Sequence, residues 1–250
     1  MAIGFGIMIP FLGTVIGAAC VFFCMGEMNR RLRSALSGFA AGIMVAASVW
    51  SLLIPAIERA SALGRLSFLP AGIGLLSGAL LMVAADLFLP SLSADEMGWG
   101  GQKMLFAVTL HNLPEGMAVG AAFAGALAGD GVLGLASATA LAVGVAIQNI
   151  PEGAIVSVPL HARGMPRSLA FLKGGLSGAV EPLGAAITLL AAGIVLPILP
   201  FMLGFAAGAM LYVVVAELVT EIAESGHRQI GNLSFFFGFL IMMTLDVMLG

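Results

Sequence analysis

Residues 102–128 read QKMLFAVTLHNLPEGMAVGAAFAGALA. The run is long enough to cross a hydrocarbon core about 30 Å thick, which takes about 20 apolar residues as a helix. Yet it sets His111, Asn112, Pro114 and Glu115 near its middle. Ionisable side chains at that depth are costly, by about 2.5–3.5 kcal/mol each on insertion scales, and they face a polar interior rather than lipid. The next apolar run repeats the pattern, with HNLPEG at 111–116 returning as QNIPEG at 148–153. A helical bundle in a membrane, built round two matched polar motifs, is the fold these stretches predict.

The rest of the chain agrees with a lipid setting. Of its 250 residues 60% are hydrophobic and 9% charged, with mean hydropathy +1.12, whereas a soluble domain is about a quarter charged. Too little polar surface is present to coat a globule in water. Eight apolar runs are predicted spans: 3–24, 34–57, 68–92, 102–128, 132–160, 168–195, 198–223 and 232–249. Their connections are short, so 1–250 reads as a single transmembrane domain, an all-α polytopic membrane protein of eight helices. The first run lacks a basic leader segment and a small-residue cleavage site, so it reads as the first span. Net charge is −3 with no basic block, which argues against nucleic acid as a partner. Cys20 and Cys24 lie one turn apart in an apolar stretch and read as small hydrophobes rather than a disulfide framework.

Basic residues orient the bundle. Arg30, Arg31, Arg33, Lys103, Arg163, Arg167, Lys173 and Arg228 fall in or beside the odd-numbered loops, against only Arg59 and Arg65 in the even-numbered ones. The bias puts the odd loops in the cytoplasm and both termini outside.

The chain also repeats itself. GFAAGIM at 38–44 returns as GFAAGAM at 204–210, and LLMVAADLFL at 80–89 resembles LIMMTLDVML at 240–249, which aligns Asp86 with Asp246. Glu58 likewise falls opposite Glu224. Helices 1–3 thus match helices 6–8 around a helix 4–5 pair. Copies separated by an odd number of spans cross the membrane in opposite senses, so the repeats are inverted, a common plan of transporters with a midplane site.

Within each motif, residues four apart share a helix face, so His111 stacks over Glu115 and Gln148 over Glu152. Asn112 with Glu115, and Asn149 with Glu152, share a neighbouring face. Pro114 and Pro151 lack an N–H and free the carbonyls of Leu110 and Ile147 one turn earlier. Gly116 and Gly153 allow close helix approach. Two such helices facing one another would gather an imidazole, two carboxylates and several amide oxygens. The carboxylates alone would repel, and a divalent cation resolves that conflict.

With these motifs the chain resembles the Zrt/Irt-like (ZIP) family of divalent metal transporters, particularly its bacterial branches, over essentially its whole length. The resemblance implies a mid-membrane binuclear site, with one metal on His111, Glu115, Gln148 and Glu152 and a second on Asn112, Glu115, Asn149 and Glu152. VEPLG at 180–184 matches the family's helix 6 motif and makes Glu181 a further ligand of the second metal. Met44 is a candidate soft ligand of the first. The family often has His where this chain has Gln148, and a His-rich loop between helices 3 and 4 where residues 90–103 hold no histidine. Glu58 and Asp246 read as entrance carboxylates on the external side, and Asp86 and Glu217 as exit carboxylates. Glu221, Glu224, His227 and His161 read as solvated helix ends.

The function expected is uptake of divalent transition-metal ions, zinc foremost with iron, manganese and cadmium as further substrates, by alternating access across a bacterial inner membrane. The resemblance implies that helices 1, 4, 5 and 6 move against 2, 3, 7 and 8. Metal is then substrate rather than cofactor, and the partners are the ion, the bilayer and, as a candidate, a second copy in a homodimer. The alternatives are a cation-selective channel and an intramembrane metalloenzyme. The latter would want an H-E-x-x-H helix, which does not occur.

Overall fold

In lipid a chain has no water to satisfy its backbone, and a helix closes every N–H and C=O internally. The computed structural model describes residues 2–23, 28–88, 100–129, 134–162 and 164–249, without the side chains of 2–3, 88, 100–111 and 249; these segments are helical, with no strand among the described residues. The helices are α1 (Gly4–Phe22), α2 (Arg30–Arg59), α3 (Phe68–Phe88), α4 (Gly100–Ala128), α5 (Leu135–Ala162), α6 (Arg167–Ser177 and Val180–Leu190), α7 (Ala192–Glu224) and α8 (Arg228–Leu249). By length and composition α1, α2, α3, α5, α7 and α8 are able to cross a membrane.

One expectation is corrected. The run 168–195 is not a single rod: α6 breaks at Gly178–Ala179, and residues 192–195 already belong to α7. Pro182 explains the restart, because proline lacks the N–H that a helix interior needs and is tolerated in a first turn. By contrast, α4 and α5 run through Pro114 and Pro151 without interruption.

Rows of glycine set the packing. Gly38 and Gly42 of α2 lie so close to α8 that a Cβ would meet the carbonyl oxygens of Gly231 and Phe235 at 2.0 Å each, and Gly204 and Gly208 of α7 stand the same way against Ala71 and Leu75 of α3, at 2.2 and 2.0 Å. Under the sequence repeat Gly38 corresponds to Gly204, Gly42 to Gly208, Gly231 to Ala71 and Phe235 to Leu75, so these contacts are copies of one another. The other four helices pair likewise. Gly17 of α1 and Gly153 of α5 meet the carbonyls of Ile150 and Thr14, while Gly184 of α6 and Gly116 of α4 meet those of Leu113 and Glu181. Even the local distortions repeat: a π-helical turn interrupts α2 at Ser48–Leu53 and α7 at Val214–Leu218. Small residues of this kind are what lets membrane helices gain van der Waals contact when lipid is as apolar as they are.

The main apolar cluster joins α2, α4, α5 and α7, with Ile43, Met44, Val119, Phe123, Leu141, Val145, Leu203 and Met210 inside it. Helices α3 and α8 lie outermost and present Leu76, Leu80, Phe236, Val247 and Met248 outward. At one end of the bundle the start of α2 meets the α7–α8 junction: Arg33 pairs with Glu221, Ser37 donates to Glu221 at 2.6 Å, and Ser34 donates to the His227 carbonyl at 3.2 Å. Glu221 is therefore an interhelical anchor, not the solvated helix end read from the sequence.

Candidate metal site

The motifs sit where α4 and α5 cross the bundle interior, each backed by a second helix that glycine holds close. Asn112, Glu115, Gln148, Asn149 and Glu181 are fully buried, and Glu152 is 5% exposed. The side chain of His111 lies outside the described residues. Glu115 of α4 is within electrostatic reach of both Glu152 of α5 and Glu181 of α6.

The hydrogen bonds follow the same two-fold relation as the packing. Asn112 Nδ2 of α4 donates to the Ser177 carbonyl of α6 at 3.4 Å, and Asn149 Nδ2 of α5 donates to the Pro10 carbonyl of α1 at 3.4 Å. Asn112 also donates to Glu181 Oε1 at 3.1 Å. Gln148 Nε2 donates to Glu115 Oε1 at 2.8 Å, tying α5 to α4.

What these bonds leave over defines the chemistry. Each amide spends its NH2 on a protein acceptor, while Asn112 Oδ1, Gln148 Oε1, Asn149 Oδ1, Glu115 Oε2 and Glu181 Oε2 are buried without a hydrogen-bond partner. An unpaired buried acceptor normally costs about 1–3 kcal/mol, and five in one region call for a common partner that accepts lone pairs. A hydrated or partly dehydrated cation is such a partner. Among the described residues no three His, Cys, Asp or Glu side chains form a metal cage by themselves. The donor set is instead mixed, with amide oxygens completing what the carboxylates begin, and it suits borderline divalent metals rather than a thiophilic ion.

The remaining predicted residues lie apart from this hydrogen-bonded set. Met44 is fully buried in the apolar cluster of α2, outside the hydrogen-bonded set. Asp246 of α8 accepts from Ser51 of α2 at 2.5 Å, next to the π-helical turn, and Glu58 is exposed nearer the end of α2. Asp86 of α3 accepts from Tyr212 of α7 at 2.5 Å. Glu217 is exposed and lines an open cleft with Arg30, Arg33, Thr220, Glu221 and Glu224. His161 bonds the Met165 carbonyl at 2.9 Å. Arg163 and residues 90–99 lie outside the described residues.

Thr14 is a site residue that sequence reasoning missed. It is fully buried on α1 and donates to Glu181 Oε1 at 3.0 Å. A lone threonine in an apolar run carries no signal of its own. Aligning α1 with α6 through Gly17 and Gly184 would have found it, because that register places Thr14 on Glu181.

A family model described as ZIP Zinc transporter matches residues 92–246. The chain is 34% identical to Zinc transporter ZIP11 of Homo sapiens, over 95% of this chain and 94% of that protein. It is 37% identical to Zinc transporter ZIPB of Bordetella bronchiseptica, over 96% and 79%, and 35% identical to Zinc transporter GufA of Myxococcus xanthus, over 95% and 96%. Similarity thus extends to animal as well as bacterial relatives, wider than the bacterial branch the motifs suggested.

Proposed function

The chain belongs to the ZIP zinc transporter family, a family of transporters rather than enzymes, and we propose that it carries divalent transition-metal ions, zinc foremost, into the cytoplasm through a binuclear site between α4, α5 and α6. The observation that carries this reading is the set of buried oxygens without partners on Asn112, Glu115, Gln148, Asn149 and Glu181. In this reading Glu115 and Glu152 bridge two ions. His111 and Gln148 complete the first, and Asn112, Asn149 and Glu181 complete the second. All eight helices span, with the Arg33–Glu221 end in the cytoplasm.

Transport by alternating access is supported by how the helices interlock. Among the described residues, every glycine whose Cβ would come within 3.0 Å of another helix's backbone joins α1, α4, α5 and α6 to one another, or α2, α3, α7 and α8 to one another. The tight contact of Gly144 across that divide falls on the flexible side chain of Met242. Two blocks, each held together by close glycine contacts and meeting across an apolar cluster, are able to shift while each stays intact, carrying the site past a fixed scaffold.

The test is zinc uptake by purified protein in sealed liposomes containing a zinc-sensitive dye. Saturable uptake that disappears in Glu115→Ala and Glu152→Ala is expected. Uptake that persists in both variants would rule the site out, and linear, non-saturating flux would favour a channel.

A further inference from the structure

The two-fold relation makes Thr14 and Glu181 counterparts, and they touch each other: Thr14 Oγ1 donates to Glu181 Oε1 at 3.0 Å, from α1 to α6. Where α4 and α5 answer each other's motif with like residues, α1 and α6 answer with a neutral hydroxyl and a carboxylate. The fold makes room for this pair. Gly178 stands at the break in α6, and a Cβ there would meet Thr14 Oγ1 at 2.6 Å and Glu181 Oε1 at 2.8 Å.

The bond divides the labour of the two carboxylate oxygens. Oε1 is engaged by Thr14 and by Asn112 at 3.1 Å, whereas Oε2 is buried with no hydrogen-bond partner. Glu181 is thereby presented as a one-oxygen ligand. A single oxygen from each carboxylate suits a small ion of low coordination number such as zinc, whereas a two-oxygen bite suits larger cations that take more ligands.

We propose that Thr14 is a positioning residue that sets metal specificity, by holding Glu181 Oε1 away from the ion so that only Oε2 binds. This rests on the reading of the site as a transport site for divalent metal. Without the hydroxyl, Oε1 keeps only the longer Asn112 bond at 3.1 Å, so Glu181 turns more readily to bite with both oxygens, which favours cadmium over zinc.

The experiment compares wild type, Thr14→Val, Thr14→Ser and Gly178→Ala in liposomes, each assayed for zinc and for cadmium uptake, with monodispersity and metal-free thermal midpoint as fold controls. Thr14→Val is expected to raise KM for zinc about tenfold at unchanged kcat, the scale of one hydrogen bond to a charged group. KM for cadmium holds, so the cadmium-to-zinc ratio of kcat/KM rises about tenfold, and Thr14→Ser keeps the wild-type ratio. An unchanged ratio in Thr14→Val, an equal rise in KM for both metals, or a Thr14→Ser that behaves like Thr14→Val overturns the proposal. Should Thr14→Val fail to fold, Gly178→Ala decides: the same shift in ratio supports the proposal and a wild-type ratio overturns it. Wild-type protein that moves neither metal overturns the transport reading itself, and this inference with it.

Discussion

Replacing Glu115 by Gln separates what the site does for folding from what it does for metal. Gln148 Nε2 donates to Glu115 Oε1 at 2.8 Å, and a glutamine at 115 keeps an oxygen acceptor of the same reach in the same place. Shape and that hydrogen bond survive, while the charge is lost and the unpartnered Oε2 becomes an NH2. Turning a charge-assisted bond into a neutral one loses about 1 kcal/mol. Against that, a fully buried carboxylate within reach of Glu152 and Glu181 carries a desolvation and repulsion penalty of several kcal/mol, and neutralising it relieves that penalty. The metal-free variant is therefore expected to be as stable as wild type or up to about 2 kcal/mol more stable. With zinc the order reverses. At a free concentration about 100 times Kd the wild type gains about 2.7 kcal/mol, and the variant gains none. Reversible unfolding of detergent-solubilised protein with and without zinc measures both. A metal-free Glu115→Gln destabilised by more than about 1 kcal/mol would show that the carboxylate is an interhelical fastener, and a retained zinc gain would show that the ion binds elsewhere.

Other predictions follow from the same geometry. Gln148→His exchanges an amide for an imidazole, a better ligand for zinc than for manganese, so competition uptake should move towards zinc. Gly17→Ala and Gly153→Ala place a Cβ 2.0–2.1 Å from a carbonyl oxygen of the partner helix and should abolish monodisperse protein, whereas Gly4→Ala, with nothing within 4 Å, should leave it intact; size-exclusion chromatography distinguishes them. Ser51→Ala removes the 2.5 Å bond to Asp246. If that carboxylate collects incoming metal, KM rises about fivefold, the equivalent of about 1 kcal/mol, with kcat unchanged in initial-rate uptake.

Much of the architecture was legible because lipid narrows the choices. Long apolar runs have only helix available, and the repeats GFAAGIM/GFAAGAM and HNLPEG/QNIPEG reveal the two-fold relation that the glycine contacts then obey. The buried polar cluster of the candidate site was legible for the same reason, since buried Asn and Glu in such runs need a partner. Three things were not. The break in α6 depends on how Gly178 and Pro182 share one turn, and hydropathy is blind to it. The pairing of Glu221 with Arg33 joins residues far apart in the chain that each look like an ordinary charged helix end. Thr14 becomes visible only once α1 is set in register with α6, where an apolar alphabet of Gly, Ala and Leu gives little to align.

The central claim is that two ions sit between α4 and α5, bridged by Glu115 and Glu152. Anomalous difference maps from crystals soaked in zinc, recorded on either side of the zinc absorption edge, test it most directly. Two peaks about 3.5–4 Å apart, in contact with those two carboxylates and with Glu181, are the expected result. A single peak beside Asp86 and Tyr212, or beside Ser51 and Asp246, with none between the motifs would contradict the account.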